Sequence, residues 1–269
     1  MAEGGLWAVR GAEILVREGE DFSARAEPGS SLLSCRGLAL PEPADRYALP
    51  PYAGRPDLDG MAFLYPDDTP APNGWEWRPL RAAVTALPED AWLPAARAMA
   101  FMRWREATRY CGRCGGRNQD KADEPARVCS ACGALSFPRI SPAILAVVRR
   151  GDKLLLARNA ASRLGFWSLI AGFVEPGERF EDCVRREVRE EVGVDIRVDG
   201  YLGSQPWPFP DQLMIGFRAS WASGELAPDG VEIAEAGWFG PADHPPLPNP
   251  GSLSRRLIDA ALADIAAGR

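Results

Sequence analysis

The strongest constraint on folding is a pair of Cys-x2-Cys turns, Cys111-Gly-Arg-Cys114 and Cys129-Ser-Ala-Cys132, with fourteen residues between them. Residues 108–137 are Gly-rich and poor in large aliphatics, so this stretch is too small to fold on a core of its own. Four thiolates can close a tetrahedral shell around Zn²⁺, each turn supplying two sulfurs. The separation falls just short of the usual range of about 15–20 residues between such pairs. Gly112, Gly115, Gly116 and Gly133 supply the tight turns the short spacing needs. A catalytic zinc keeps one position open, whereas four cysteines fill the shell, so one structural zinc per chain is expected. As a nucleic-acid module the stretch is weak: five basic residues face three acidic ones, and no aromatic ladder accompanies them.

Composition removes several function classes. One histidine, His244, stands in 269 residues, which excludes the two-His metalloprotease helix and a His₃ zinc site. A net charge of −6 argues against a broadly basic nucleic-acid footprint. Residues 1–10 hold no basic region followed by an apolar stretch, and no apolar run approaches the roughly 18–20 residues of a membrane span. No membrane association is expected, and a reducing cytoplasm is the expected compartment for the cysteines. Cys183 and Cys35 read as packing residues, Cys35 alternatively as a surface thiol, and His244 as a solvent-facing side chain in a Pro-rich loop.

Three regions separate along the chain: residues 1–107, 108–137 and 138–269. The first holds a strand pair around 6–9 and 13–17, Pro-rich loops at 41–56 and 66–79, and a helix near 92–108. Beyond Pro138 the patterns are stronger. Residues 143–148 and 153–158 read as a hairpin, 180–191 as a helix, 193–202 and 213–220 as strands, and 252–266 as a closing helix capped by Ser252. Strands and helices mix without regular βαβ alternation, so the fold class is α+β.

The chemistry concentrates in residues 172–194, GFVEPGERFEDCVRREVREEVGV. Seven acidic residues face four arginines over 23 positions, half of the chain's net charge. Glu187, Glu190 and Glu191 stand at i, i+3 and i+4 and share one side of the helix, while Phe180, Cys183, Val184 and Val188 form an apolar stripe on another. Like charges so placed repel, and a cation bound by oxygens alone, Mg²⁺ or Mn²⁺, is their natural complement. The bland alternative is a solvated face laced with Arg–Glu pairs.

This segment resembles the Nudix box, G-x5-E-x7-R-E-U-x-E-E-x-G-U with U aliphatic. Gly172, Glu178, Arg186, Glu187, Val188, Glu190, Glu191, Gly193 and Val194 fill all nine fixed positions. The resemblance implies a Nudix α/β/α sandwich around a mixed sheet, preceded by the four-Cys ribbon and a small α+β N-terminal domain. It also implies metal-dependent cleavage of a nucleoside diphosphate linked to a second group. By that analogy Glu187 and Glu191 are the main ligands of Mg²⁺ or Mn²⁺. Glu178, Glu190, the carbonyl of Ala171 and Glu232 stand as further candidates, and Arg186 orients the carboxylates. One glutamate would deprotonate the attacking water, with Glu191 the preferred base.

Downstream, Ser204-Gln205-Pro206-Trp207-Pro208-Phe209-Pro210 reads as a stiff, extended loop able to hold flat rings, or as a rigid connector with buried aromatics. It resembles S-Q-P-W-P-F-P-x-S, the mark of the NADH pyrophosphatase branch of Nudix hydrolases, which also carries a zinc ribbon upstream. The branch's final Ser is Gln212 here, and a Tyr that often precedes Pro-Arg is Phe137. The resemblance implies hydrolysis of NADH or NAD⁺ to nicotinamide mononucleotide (reduced from NADH) and AMP. It allows removal of NAD caps from RNA 5′ ends, and it implies a homodimer. The substrate-binding candidates are Gln205, Pro206, Trp207, Pro208, Phe209, Pro210, Asp211 and Gln212, together with Arg81, Phe137 and Ser254. Two alternatives stay open: a broader nucleoside-diphosphate-X hydrolase acting on ADP-ribose or dinucleoside polyphosphates, and a non-catalytic nucleotide sensor or regulator.

Overall fold

A computed structural model describes residues 5–20, 33–35, 37–52, 54–162 and 165–269. Residues 1–4, part of the stretch read for a leader, lie outside the described residues. The chain forms two compact units, residues 1–139 and 140–269.

In the first unit, β1 (Gly5–Arg10), β2 (Glu13–Arg17), β3 (Asp45–Ala48), β4 (Gly60–Leu64) and β5 (Trp75–Pro79) form one sheet in the order β3-β4-β1-β2-β5. Only the β1–β4 pairing is parallel. Both stretches expected as loops therefore carry a strand. The Trp-Glu-Trp-Arg alternation of β5 is a strand pattern that the neighbouring prolines obscure. The helices α1 (Leu80–Ala86) and α2 (Glu89–Ala107) follow, α2 starting three residues before the expected Trp92. Three short strands, β6 (Asn118–Asp120), β7 (Arg127–Cys129) and β8 (Leu135–Ser136), complete the unit. Arg105 on α2 ties them to the larger sheet: its guanidinium donates to Asp45 of β3 at 2.8 and 3.0 Å and to Asp120 of β6 at 2.5 Å.

In the second unit, β9 (Ser141–Arg150), β10 (Lys153–Asn159), β11 (Ile170–Phe173), β12 (Asp195–Trp207), β13 (Gln212–Ser223) and β14 (Ile233–Phe239) form a mixed sheet. Its order is β12-β13-β9-β10-β14, with β11 also paired to β9, and only β13–β9 is parallel. Alternation along β9 builds the layers. Ile144, Ala146 and Val148 face α3 (Phe180–Val192), whose Cys183, Val184, Val188 and Val192 pack on them. Leu145 and Val147 face the other way, against Leu253, Leu257, Ile258, Ala261 and Leu262 of α4 (Leu253–Ala266). Each of the larger aliphatics contributes about 1.5–3 kcal/mol by leaving water. This is the α/β/α arrangement on a mixed sheet. Phe180 departs from the expected stripe: it is exposed at the first position of α3, with its ring 6.0 Å from that of Phe217. Ser252 caps α4 as expected, accepting from the Arg255 N–H at 3.2 Å.

Candidate active site and zinc ribbon

The two cysteine turns fold alike. The Gly115 N–H donates to the Cys111 carbonyl and the Gly133 N–H to the Cys129 carbonyl, at 2.9 and 3.0 Å. Both glycines take positive φ, +74° and +72°, a conformation that disfavours a side chain. The turns bring all four Sγ atoms within 4.8 Å of one another, and all four thiols are free. A tetrahedral shell with Zn–S near 2.3 Å requires sulfurs about 3.8 Å apart. Cys111 and Cys132 lie at 3.7 Å and Cys114 and Cys129 at 3.5 Å. Backbone N–H groups of Cys132 and Ala131 lower the pKa of the Cys129 thiol, while the neighbouring sulfurs raise that of Cys132, the mutual influence of closely packed sulfurs. The donor set fits zinc, and with no position left open the ion is structural.

The carboxylates gather where α3 meets β11. A tight turn precedes the helix: the Glu178 N–H donates to the Glu175 carbonyl at 3.0 Å, and the Glu175 N–H to Glu178 Oε2 at 3.0 Å. The helix ends at Gly193, whose φ of +78° closes it through a bond from its N–H to the Arg189 carbonyl. Arg186 organises the acidic side chains. It donates to Glu178 twice, at 2.8 and 2.9 Å, to Glu187 at 2.8 Å, to Glu190 at 3.1 Å and to the Phe173 carbonyl at 3.0 Å. The guanidinium hydrogen bonds hold Glu178 at about 2. Glu187 moves upward instead, because burial outweighs the same arginine.

Glu191 has the opposite surroundings. It is 6% exposed, and no basic side chain among the described residues pairs with it. Burial first, and then the charges of Glu187, Glu232, Asp229 and Glu190, push its carboxyl up to about 8. A buried carboxylate ringed by carboxylates is a site that a divalent cation would complete. Gly172 supplies a further observation. A Cβ on this residue would lie 1.9 Å from the Glu187 carboxyl carbon, so the missing side chain is what admits that carboxylate. The oxygen donors and the space they keep fit Mg²⁺ or Mn²⁺.

Part of this cluster opens on a cleft of about 480 Å³, within the range of small-molecule sites, while Glu178 and Glu191 lie behind its lining. Ala171, Gly172, Arg186, Glu187, Glu190 and Glu232 line it, joined by Gln212 from β13. The structure thus brings Glu232, predicted far outside the box, to the carboxylates. Glu190 reaches the cleft but is largely exposed, so the three glutamates do not share one environment. Sequence reasoning missed Ala143, Phe173, Glu175 and Met214 in the lining. It also missed Asp229, whose carboxylate accepts from the Val231, Glu232 and Ile233 N–H groups and fixes the loop carrying Glu232. The Asp229-Gly230 turn ahead of a strand was the available signal.

The Pro/aromatic element departs from the expected loop. Ser204 to Trp207 pair along β13, Trp207 standing opposite Gln212, and only residues 208–211 turn. Trp207 and Phe209 meet edge to face at 5.4 Å, and Asp211 accepts from the Ser141 hydroxyl at 2.9 Å. Two substrate-binding candidates, Gln205 and Ser254, lie inside the fold. Gln205 is fully buried; its Oε1 accepts from the Leu253 N–H at 2.7 Å and its Nε2 donates to the Gly251 carbonyl at 3.1 Å. Both ends of the amide bond the backbone at the start of α4, so Gln205 is a holding residue. Ser254 is buried with its hydroxyl 2.8 Å from that of Ser168, and it faces this neighbour inside the fold. Pro206 and Pro210 are exposed and Pro208 is buried. Arg81 lies exposed on α1 and Phe137 exposed just after β8, both in the first unit. Cys35 and Cys183 are buried, and His244 is exposed in its loop.

Comparison with known proteins agrees with this geometry. Residues 139–260 match the NUDIX domain model, and residues 106–137 match the NADH pyrophosphatase zinc ribbon domain. The chain is 40% identical over 252 residues to a Chromobacterium violaceum protein named NAD-capped RNA hydrolase NudC, covering 94% of this chain and 89% of the relative. It is 45% identical over 202 residues to a protein of the same name from Stutzerimonas stutzeri, covering 75% and 73%. The crystal structure of a NUDIX hydrolase from Nitrosomonas europaea superposes with a TM-score of 0.53 at 21% identity, covering 60% of this chain and 94% of that one.

Proposed function

We propose, on the premise that this chain belongs to the Nudix hydrolases carrying the NADH pyrophosphatase zinc ribbon, that it cleaves the pyrophosphate of NAD(H) and of NAD-capped RNA. With NADH, water adds at one phosphorus and the bridging P–O bond breaks, giving reduced nicotinamide mononucleotide and AMP. The observation that carries the reading is Glu191, buried without a basic partner among carboxylates, beside a cleft large enough for part of a dinucleotide.

In this mechanism Glu187, Glu191, Glu232 and the Ala171 carbonyl hold Mg²⁺ or Mn²⁺, with Glu178 and Glu190 as further ligands. The ion, when bound, neutralises charge on the pyrophosphate and acidifies water. Arg186 fixes Glu178, Glu187 and Glu190 before substrate arrives, so little reorganisation is needed during reaction. Glu191 would accept the proton of the attacking water, being the least exposed carboxylate of the cluster and free of any basic partner among the described residues. Gln205 seats the Pro/aromatic element against α4, which positions Trp207, Phe209 and Gln212 for the nucleotide. Support for the RNA substrate comes from the relatives named NAD-capped RNA hydrolases.

We carry the three-part division, 1–107, 108–137 and 138–269, as part of the same proposal, together with a homodimer and a reducing, cytoplasmic location. Free thiols in zinc-spaced pairs favour such a compartment, and no helix among the described residues is long and apolar enough to cross a membrane. Turnover of NADH, NAD⁺, ADP-ribose and an NAD-capped transcript, compared with Mn²⁺ or Mg²⁺ present, tests the reading. NAD(H) and capped RNA should lead in kcat/KM, and E191Q should lose turnover while keeping fold and zinc. Higher efficiency on ADP-ribose would favour the broader hydrolase, and binding without AMP release would favour a sensor.

A further inference from the structure

β9 and β13 run parallel, with Gln212 opposite Ser141 at one end and Ser220 opposite Arg149 at the other. The first end belongs to the carboxylate cleft, lined by Ala143, Gln212 and Met214. The other end opens on a separate groove of about 600 Å³. Ala143 and Arg149 are six residues apart, so at about 3.3 Å per residue the two sites lie about 20 Å from each other along the strand.

The groove is basic within an acidic chain. Arg149, Arg150 and Arg218 line it against one carboxylate, Asp199. Asp199 is already engaged, accepting from the Ser220 hydroxyl at 2.6 Å and the Arg197 Nε at 2.9 Å. The arginines are only weakly held. Arg149 reaches the Gly151 carbonyl at 3.5 Å, and Arg150 faces Glu225, itself 84% exposed, at 3.6 Å. Surface pairs of this kind contribute little. Arg218 stands exposed on β13. The Arg150 guanidinium lies 4.1 Å from the Trp221 ring centroid and 5.8 Å from that of Trp238, so two aromatic rings flank it at the groove.

These parts suit a phosphate chain better than a lone anion. Guanidinium forks bind phosphate oxygens in pairs, and three of them along one groove match successive phosphates of a chain. We propose that this groove grips the phosphodiester backbone of a single-stranded RNA whose 5′ cap occupies the carboxylate cleft. The inference rests on the capped-RNA part of the function proposed above. It gives that substrate a second hold, which free NADH lacks.

The test compares the full-length chain with its R149Q/R218Q double variant. Three substrates are used: NADH, an NAD-capped dinucleotide and an NAD-capped single-stranded 20-mer. Binding of an uncapped 5′-monophosphate 20-mer is measured by fluorescence anisotropy at low and high salt. The wild type should show a lower KM for the capped 20-mer than for the capped dinucleotide, an advantage that shrinks as salt rises. The variant should lose that advantage by about tenfold in KM and bind the uncapped 20-mer correspondingly less tightly, while kcat and NADH turnover stay unchanged and report an intact fold. Equal KM and equal RNA binding in the two proteins would overturn the proposal. If the wild type cleaves NADH but leaves capped RNA intact, the capped-RNA reading fails on its own. The uncapped 20-mer then decides the groove: binding lost in the variant supports it, and unchanged binding overturns it.

Discussion

Arg186 grips Glu178 through two parallel hydrogen bonds, Nε to Oε1 at 2.8 Å and Nη2 to Oε2 at 2.9 Å. Lysine keeps the charge but cannot form the fork, nor hold Glu187 and Glu190 at the same time. R186K should therefore lower kcat/KM on NADH by roughly 10–100-fold and raise the Mn²⁺ concentration needed for half activity. Steady-state rates across a Mn²⁺ titration check this; wild-type values would show that the fork does not matter.

Gly172 and Glu187 occupy adjoining space. Because a Cβ would fall 1.9–2.4 Å from the carboxylate atoms, G172A must expel Glu187 from its position. Turnover should drop by at least about 100-fold, the scale on which misplacement of catalytic groups acts. The thermal midpoint should change little, since the displaced group lies at the cleft. Activity and melting measured on the same preparation separate the two effects.

Removing a zinc ligand should act on the first unit. C129A is expected to lose its one zinc per chain, measured by elemental analysis. The turns at 111–116 and 129–134 should become protease-sensitive, because nothing apolar in 108–137 replaces the metal. Retention of a full equivalent of zinc would refute the ligand set.

Arg105 joins α2 to both sheets of its unit and is almost fully buried, its side chain 6% exposed. R105A should cost roughly 3 kcal/mol, the lower end for breaking a buried pair, because Asp45 and Asp120 keep some access to water. Urea denaturation of wild type and variant measures the difference.

Backbone N–H groups of Ile233, Glu232 and Val231 lower the pKa of Asp229. A carboxylate depressed in the folded state stabilises above its unfolded pKa of about 4, and that contribution disappears as pH falls through the folded value. D229N should thus melt below wild type at pH 7, and the gap should close on the acid side. A gap independent of pH would show that the charge plays no part.

Much of the site was legible because it is local. The Arg186, Glu187, Glu190 and Glu191 pattern fits within two helical turns, and the cysteines announce their turns by spacing alone. What escaped was long-range or masked. No local pattern relates Gln205 to Leu253, 48 positions away, so its tie to α4 was invisible in the sequence. The β5 strand was hidden by the prolines around its tryptophans. Phe180 looked like core by periodicity, but as the first residue of α3 it lies beyond the packed turn, near solvent. Glu190 shares the helix side with Glu187 and Glu191, yet burial, which the pattern does not report, separates their chemistry.

The Gln205 tie divides the Pro/aromatic element into a base tied to α4 and a tip that turns. Residues 204–207 are built into the sheet and α4, whereas 208–211 turn the corner toward Gln212, held by Asp211 on Ser141 and by Phe209 on Trp207. On the proposed function, selection for a different nucleotide would act on the turn rather than on the tie. A change at Gln205 would unseat the start of a helix, so position 205 should stay fixed while substitutions collect elsewhere in the element.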